Sequence, residues 1–221
     1  MIIDCISDLH GHFPKLEGGD LLIIAGDMTA RDTIPCWNKF FIWLDAQNYR
    51  KKVYIGGNHD NFLTQCCNNV ECADISYGEE CEKQDYLCDS GTSFSGLKIW
   101  GSPWTTRFEG INPKCCAFTV DNDEELREKW ALIPEDTDIL ITHSPMLHIL
   151  DANYDGYACG SSSLKDRIYI VKPKLHVFGH IHEQGGNQIR YKIDGPKTWC
   201  VNASYVNEKY QPVNKPMRIV L

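Results

Sequence analysis

The sequence predicts an α/β protein, an αββα sandwich in which two mixed β-sheets are flanked by helices. Three observations carry that reading. Short continuous apolar runs, such as Leu21–Ala25 and Leu175–Phe178, recur along the chain, as expected of strands covered on both faces. Helical periodicities alternate with the early runs, the pattern of βαβ units. Past Leu175 the chain is dense in strand-like runs and in turn pairs such as Gly185-Gly186 and Asp194-Gly195, which favours mixed sheets over a wholly parallel one.

Taken in order, strands are expected at Ile2–Ile6, Leu21–Ala25, Val53–Ile55, Leu97–Trp100, Asp138–Ile141, Leu175–Phe178, Ile189–Ile193, Thr198–Val201 and Arg218–Val220. The first helix follows from Trp37, Phe40, Phe41 and Leu44, which repeat at i, i+3, i+4 and i+7 and so share one face. A second runs from Asp123 to Ile133, with Leu126, Trp130 and Ile133 on one stripe and acidic residues in the first turn, where the helix dipole favours them. A third starts after Ser163 as N-cap, with Leu164, Ile168 and Val171 facing inward. No repeat or linker interrupts the 221 residues, which read as a single domain over 1–221.

Hydrophobic content of 43% and charged content of 24% fit an ordinary globular protein. No apolar stretch approaches the roughly 20 residues of a membrane span, so no membrane partner is expected. The first strand runs straight into a polar motif and leaves no room for a secretion signal, which points to a cytoplasmic protein. The net charge of −8 leaves no basic face to track a nucleic-acid backbone, so no long nucleic acid is expected as partner. The longest basic run, Arg50-Lys51-Lys52, reads as a solvated turn. Eleven cysteines without a signal peptide argue for reduced thiols. Cys66, Cys67, Cys72, Cys81 and Cys88 lack the paired spacing of a structural zinc site and read as incidental thiols of a surface loop.

The functional message lies in five short motifs: Asp8-Leu9-His10, Gly26-Asp27, Gly57-Asn58-His59-Asp60, Thr142-His143 and Gly179-His180-Ile181-His182. Each follows or ends an apolar run, and ligand groups of open α/β sheets gather past the carboxyl ends of the strands. Asp8 and His10, and likewise His180 and His182, stand two apart in extended chain and leave from the same face. Each motif alone is weak. Together they offer carboxylate, amide and imidazole ligands without thiolate, a set that suits Mn²⁺, Fe or Zn²⁺. Two ions about 3.5–4 Å apart need a bridging carboxylate, and Asp27 is the acidic residue without an imidazole close by in sequence. The remaining histidines, His12, His148 and His176, read as ordinary surface or core residues.

These five motifs, in order and spacing, resemble those of the calcineurin-like metallophosphoesterases, over Ile2 to about Ser204. Gly101-Ser102-Pro103-Trp104-Thr105, Asp138 through Pro145, Cys159-Gly160-Ser161 and Lys172 through Glu183 are similar to its metallophosphoesterase-domain-containing (MPPED-type) branch, allied to class III cyclic nucleotide phosphodiesterases. The resemblance implies that Asp8, His10 and His182 hold one divalent metal ion and Asn58, His143 and His180 a second, with Asp27 bridging. It implies that His59 contacts the phosphate and assists the leaving group. Many relatives carry a carboxylate three residues after the bridging aspartate to orient that histidine. Here the position is Ala30, which leaves Asp32 and Asp60 as substitutes. The protein Ser/Thr phosphatase signature is absent: the chain reads Gly26-Asp27-Met28-Thr29-Ala30-Arg31-Asp32.

The resulting expectation is a phosphoric diester hydrolase with two divalent ions, Mn first, acting on small-molecule phosphoesters such as cyclic nucleotides. A bridging hydroxide would attack the phosphorus while the cations neutralise its oxygens. The alternatives are a phosphomonoesterase with the same site, or a metal-binding scaffold of low activity. Trp104, Phe108 and Tyr157 offer themselves as base-stacking residues or as rim packing.

Overall fold

A computed structural model describes residues 1–68, 84–107, 115–192 and 195–221. One sheet contains β1 (Ile2–Ile6), β2 (Gly19–Ala25), β3 (Tyr49–Ile55), β4 (Gln84–Tyr86) and β13 (Met217–Val220), in the order β13-β1-β2-β3-β4. The other contains β5 (Ser90–Phe94), β6 (Leu97–Ser102), β9 (Ile139–Thr142), β10 (Leu175–Phe178), β11 (Asn187–Lys192) and β12 (Lys197–Asn202), in the order β11-β12-β10-β9-β6-β5. In both, the central strands run parallel and antiparallel strands close an edge: β13 on the first sheet, β11 and β5 on the second. A short parallel pair, β7 (Thr105–Thr106) with β8 (Thr119–Val120), stands apart.

The central strands β1, β2, β9 and β10 read as unbroken apolar runs because they bury both faces. Alternate residues of the first sheet, Ile3, Cys5, Leu21, Ile23, Val53 and Ile55, meet Ile99, Ile139, Ile141, Leu175, Val177 and Val201 of the second in the core between the sheets. The intervening residues point outward. Ile6, Leu22, Ile24 and Tyr54 pack on Trp37, Phe40, Phe41 and Leu44 of α1 (Ile34–Asp45). Leu140, Phe178 and Cys200 pack on Leu126 and Trp130 of α3 (Asp123–Trp130) and on Leu164, Ile168 and Val171 of α4 (Ser162–Val171). The αββα sandwich is as expected. No helix among the described residues is long and apolar enough to cross a membrane.

Four details differ from the sequence reading. The N-cap of α4 is Ser161, whose hydroxyl accepts from the Leu164 amide, and Ser163 lies inside the first turn with its amide on Asp123. Both serines can cap; the carboxylate of Asp123, 40 residues away in sequence, decides between them. Arg50-Lys51-Lys52 is no turn but part of β3, and Lys52 is buried, its ammonium on the carbonyls of Leu44 and Asp45 at the C-terminal end of α1, where the helix dipole favours a cation. Polar composition hid β4, β5, β7, β8 and α2 (Asn61–Asn68). Finally, Cys88 is disulfide-bonded, whereas Cys5, Cys36, Cys115, Cys116, Cys159 and Cys200 are reduced thiols, as expected. Pairing depends on two Cα atoms coming within about 7 Å, which spacing alone does not show. Cys72, Cys81, Phe108, Ile193 and Asp194 lie outside the described residues, as do the side chains of Cys66 and Cys67.

Candidate metal centre

All five motifs stand just past the carboxyl ends of β1, β2, β3, β9 and β10, and the fold brings them to one place. Tight chain reversals there, not the extended chain expected of Asp8-x-His10 and His180-x-His182, put Asp8, His10, Asp27 and His180 in the left-handed region, at φ of 51°, 42°, 56° and 69°. L residues adopt that region at a cost and persist in it where the surroundings over-determine them. Two glycines allow the close approach: a Cβ on Gly57 would stand 2.3 Å from Asp27 Oδ1, and one on Gly179 would stand 2.1 Å from Asp8 Oδ2.

Asp8 is fully buried. Its Oδ2 accepts from Ser204 Oγ at 2.8 Å and from the His180 amide at 3.0 Å, while Oδ1 faces His182 Nε2 at 3.2 Å. Burial works against ionisation, yet the His182 hydrogen bond and charge hold the carboxyl below its usual range. Asp27 Oδ1 accepts from the His59 amide at 2.9 Å. Its Oδ2 faces three imidazoles, with His143 Nε2 at 3.5 Å, His10 Nε2 at 3.7 Å and His59 Nε2 at 3.9 Å. Burial again opposes ionisation, and the His143 and His59 charges overcome it and pull the Asp27 carboxyl well down. On the far side, Asn58 Oδ1 lies 3.0 Å from His143 Nε2 and 3.1 Å from His180 Nδ1.

Backbone carbonyls fix the imidazole tautomers. His143 Nδ1 meets the Ala25 carbonyl at 2.8 Å, and His182 Nδ1 meets the Asn207 carbonyl at 3.2 Å. A carbonyl only accepts, so each Nδ1 carries a proton and each Nε2 points into the centre, where it would give its lone pair to a bound metal ion, the arrangement of metal-ligating histidines. His10 Nε2 is buried without any hydrogen-bond partner among the described residues. An orphaned imidazole nitrogen, aimed at two carboxylates, fits a metal ligand rather than a finished protein network. Three sets of donors lie close enough to share an ion: Asp8, His10 and His182; His10, Asp27 and His59; and Asp8, Asp27 and His143. Asp27 and Asp8 each belong to two of them.

Neither substitute carboxylate reaches the ring of His59. Asp32 accepts from Trp37 Nε1 and the Phe62 amide. Asp60 is buried and accepts from the amides of Asp27, Gly57 and Met28, so it staples the Gly26-Asp27 and Gly57-Asn58 loops together. Burial and the Asp27 charge raise its carboxyl well above the usual range. His59 Nδ1 instead meets Cys115 Sγ at 3.3 Å. Nothing in the sequence marks Cys115, which lies 56 residues away. Trp104 is occupied structurally, with Nε1 on Asp89 and Lys129 over its ring. Tyr157 is exposed and does not line the cavity above the cluster. Tyr210, overlooked in the sequence, does line it.

Residues 1–184, which contain every one of these candidate ligands, match the family model of the calcineurin-like phosphoesterases. The chain belongs to that family. Among curated relatives of these phosphoesterases, metallophosphoesterase domain-containing protein 1 of Homo sapiens is 36% identical over 237 residues, covering 98% of this chain and 70% of the relative. UPF0046 protein T07D4.2 of Caenorhabditis elegans is 31% identical, covering 96% and 58%. A solved structure, TT1561 of Thermus thermophilus, superposes with a TM-score of 0.60 at 17% identity, covering 91% of this chain and 88% of that one, which bears on the fold alone. The chain is thus a metallophosphoesterase, a phosphoester hydrolase with residues suited to metal binding.

Proposed function

We propose that this metallophosphoesterase hydrolyses small phosphodiesters, cyclic nucleotides among them, with two Mn²⁺ ions. The observation that carries the reading is the cavity of about 320 Å³ lined by Asp27, Asn58, His59, His180 and His182. That volume suits a small molecule. Glu183 and Glu208 stand on its walls and oppose a long polyanion.

Asp8, His10 and His182 would hold one ion, Asn58, His143 and His180 the other, and Asp27 Oδ2, central to three imidazoles, would bridge. When bound, two such ions supply a hydroxide nucleophile near neutral pH and neutralise the phosphoryl oxygens. The rest falls to the chain. The Asp27 carboxylate, Asn58 amide oxygen and imidazole lone pairs fix where the phosphorus sits. His59 Nε2, 3.9 Å from Asp27 Oδ2 and on the cavity wall, stands where a leaving oxygen needs a proton. A positioned acid of this kind is worth about 10²–10⁴ in rate.

The test compares hydrolysis of bis-p-nitrophenyl phosphate with p-nitrophenyl phosphate in Mn²⁺, for the wild type and Asp27→Asn. Faster turnover of the diester, abolished by the substitution, is the expected result. Preference for the monoester would make the protein a phosphomonoesterase. Bound metal with no turnover of either would make it a scaffold.

A further inference from the structure

One wall of the cavity has no part in holding metal. Tyr210 lies in the loop between Val206 and Pro212, which bridge each other. Asn207 organises that loop: its amide donates to Gln211 O, its carbonyl accepts from the Tyr210 amide, and its Oδ1 accepts from the amides of Lys209 and Gln211. The same carbonyl meets His182 Nδ1, and Tyr210 O meets His12 Nε2 at 3.1 Å. The loop is therefore fastened to the metal-binding turns at two points.

So held, Tyr210 takes φ 58°. A bulky aromatic is a marked outlier there, and such outliers carry a backbone cost and cluster at ligand sites. Four of the other described non-glycine residues with positive φ are Asp8, His10, Asp27 and His180. Tyr210 shares their conformation and their location. Its ring stands edge-to-face with His10 at 4.7 Å, His182 at 5.4 Å and His59 at 6.2 Å between centroids. It nevertheless remains 48% exposed. Histidines aside, it is the aromatic side chain among the described residues lining the cavity. A half-open ring on the cavity wall beside His10, His59 and His182, held there against backbone preference, offers an apolar surface to a group carried by a phosphate bound at that centre.

We propose that Tyr210 determines specificity by stacking on the nucleobase or aryl group of the phosphoester, so that the cavity takes nucleoside phosphates over alkyl phosphates. The proposal deepens the phosphodiesterase reading and rests on the same phosphate position. Stacking of a base on an aromatic side chain is worth roughly 1–3 kcal/mol, and a tenfold preference lies within that range.

The experiment is calorimetric binding of adenosine 5′-monophosphate and of methyl phosphate to Mn²⁺-loaded wild type, Tyr210→Phe and Tyr210→Asn. Asparagine accepts positive φ and removes the ring, so the loop keeps its path. Wild type and Tyr210→Phe should bind the nucleotide about tenfold more tightly than methyl phosphate, and Tyr210→Asn should bind the two alike. Retained preference in Tyr210→Asn overturns the proposal. So does the absence of preference in the wild type, or its loss in Tyr210→Phe, which would assign recognition to the hydroxyl. Binding is read without turnover. A nucleotide preference in a protein that hydrolyses no diester would sink the phosphodiesterase reading and leave this one standing.

Discussion

Cys115 Sγ lies 3.3 Å from His59 Nδ1, and no other described side chain forms a hydrogen bond with that nitrogen. The thiol thereby takes the orienting place that neither Asp32 nor Asp60 can fill, because both carboxylates are spent on backbone amides and, for Asp32, the Trp37 indole. The contact leaves His59 Nε2 facing Asp27 and the cavity. A hydrogen bond of about 1 kcal/mol corresponds to about fivefold in rate. Cys115→Ala should lower kcat for a diester by about that factor with little change in KM, and Cys115→Ser should recover most of it. Steady-state kinetics on the three proteins checks this, and equal loss in both variants would show that the thiol only fills space.

Asp60 joins the Gly26-Asp27 and Gly57-Asn58 turns through three buried amides. Asp60→Ala leaves all three without acceptor, and at about 1–3 kcal/mol for each orphaned group the loss of unfolding free energy in urea should exceed about 3 kcal/mol. Burial and Asp27 already favour the neutral carboxyl, so the neutral Asp60→Asn should be the milder change.

Much of this was written in the sequence, and the remainder was not for physical reasons. The central strands are legible because burial on both faces removes polar residues from them, and the candidate ligands because each of the five motifs sits at a strand end. β5 reads Ser90-Gly91-Thr92-Ser93-Phe94 and half faces solvent, so no periodicity marks it. Cys115 and Tyr210 act through contacts across 56 and 200 residues, on His59 and His10. Neither carries a motif, and only the folded chain brings them to the centre.

His176 provides a pH test through a buried imidazole that is not itself a candidate ligand. Thr142 Oγ1 donates to the Ser144 carbonyl, so His176 Nε2 donates to Thr142 Oγ1, and Nδ1 is left buried without a partner among the described residues. Burial pushes the imidazole down to about 3. The unfolded chain therefore binds a proton that the folded chain refuses between about pH 6.5 and pH 3. The stability due to neutral His176 is fully present above about pH 6.5 and is lost as the pH falls through that window. His176→Leu should flatten the acid limb of unfolding free energy against pH by about 1.4 kcal/mol per pH unit, measured by urea unfolding from pH 7 to pH 4. An unchanged slope would contradict the assignment.

Gly179 packs beneath Asp8, where an added Cβ would also stand 2.1 Å from Ser7 Oγ. Gly179→Ala should displace the Asp8 carboxylate and weaken Mn²⁺ binding at least tenfold, the upper range for disturbing groups around a metal ligand being about a hundredfold. Calorimetric titration of the folded variant reads this directly, and wild-type affinity would show that the turn yields without moving Asp8.

Metal stoichiometry bears most directly on the bridged centre. Wild-type protein and Asp27→Asn are dialysed against Mn²⁺, freed of excess metal by gel filtration, and analysed by atomic emission for Mn per chain. Asp27 Oδ2 lies among His10, His143 and His59, so two Mn²⁺ are expected per wild-type chain and one or none in Asp27→Asn. Wild-type protein that retains no metal, or Asp27→Asn that still holds two, would contradict the bridged two-metal centre.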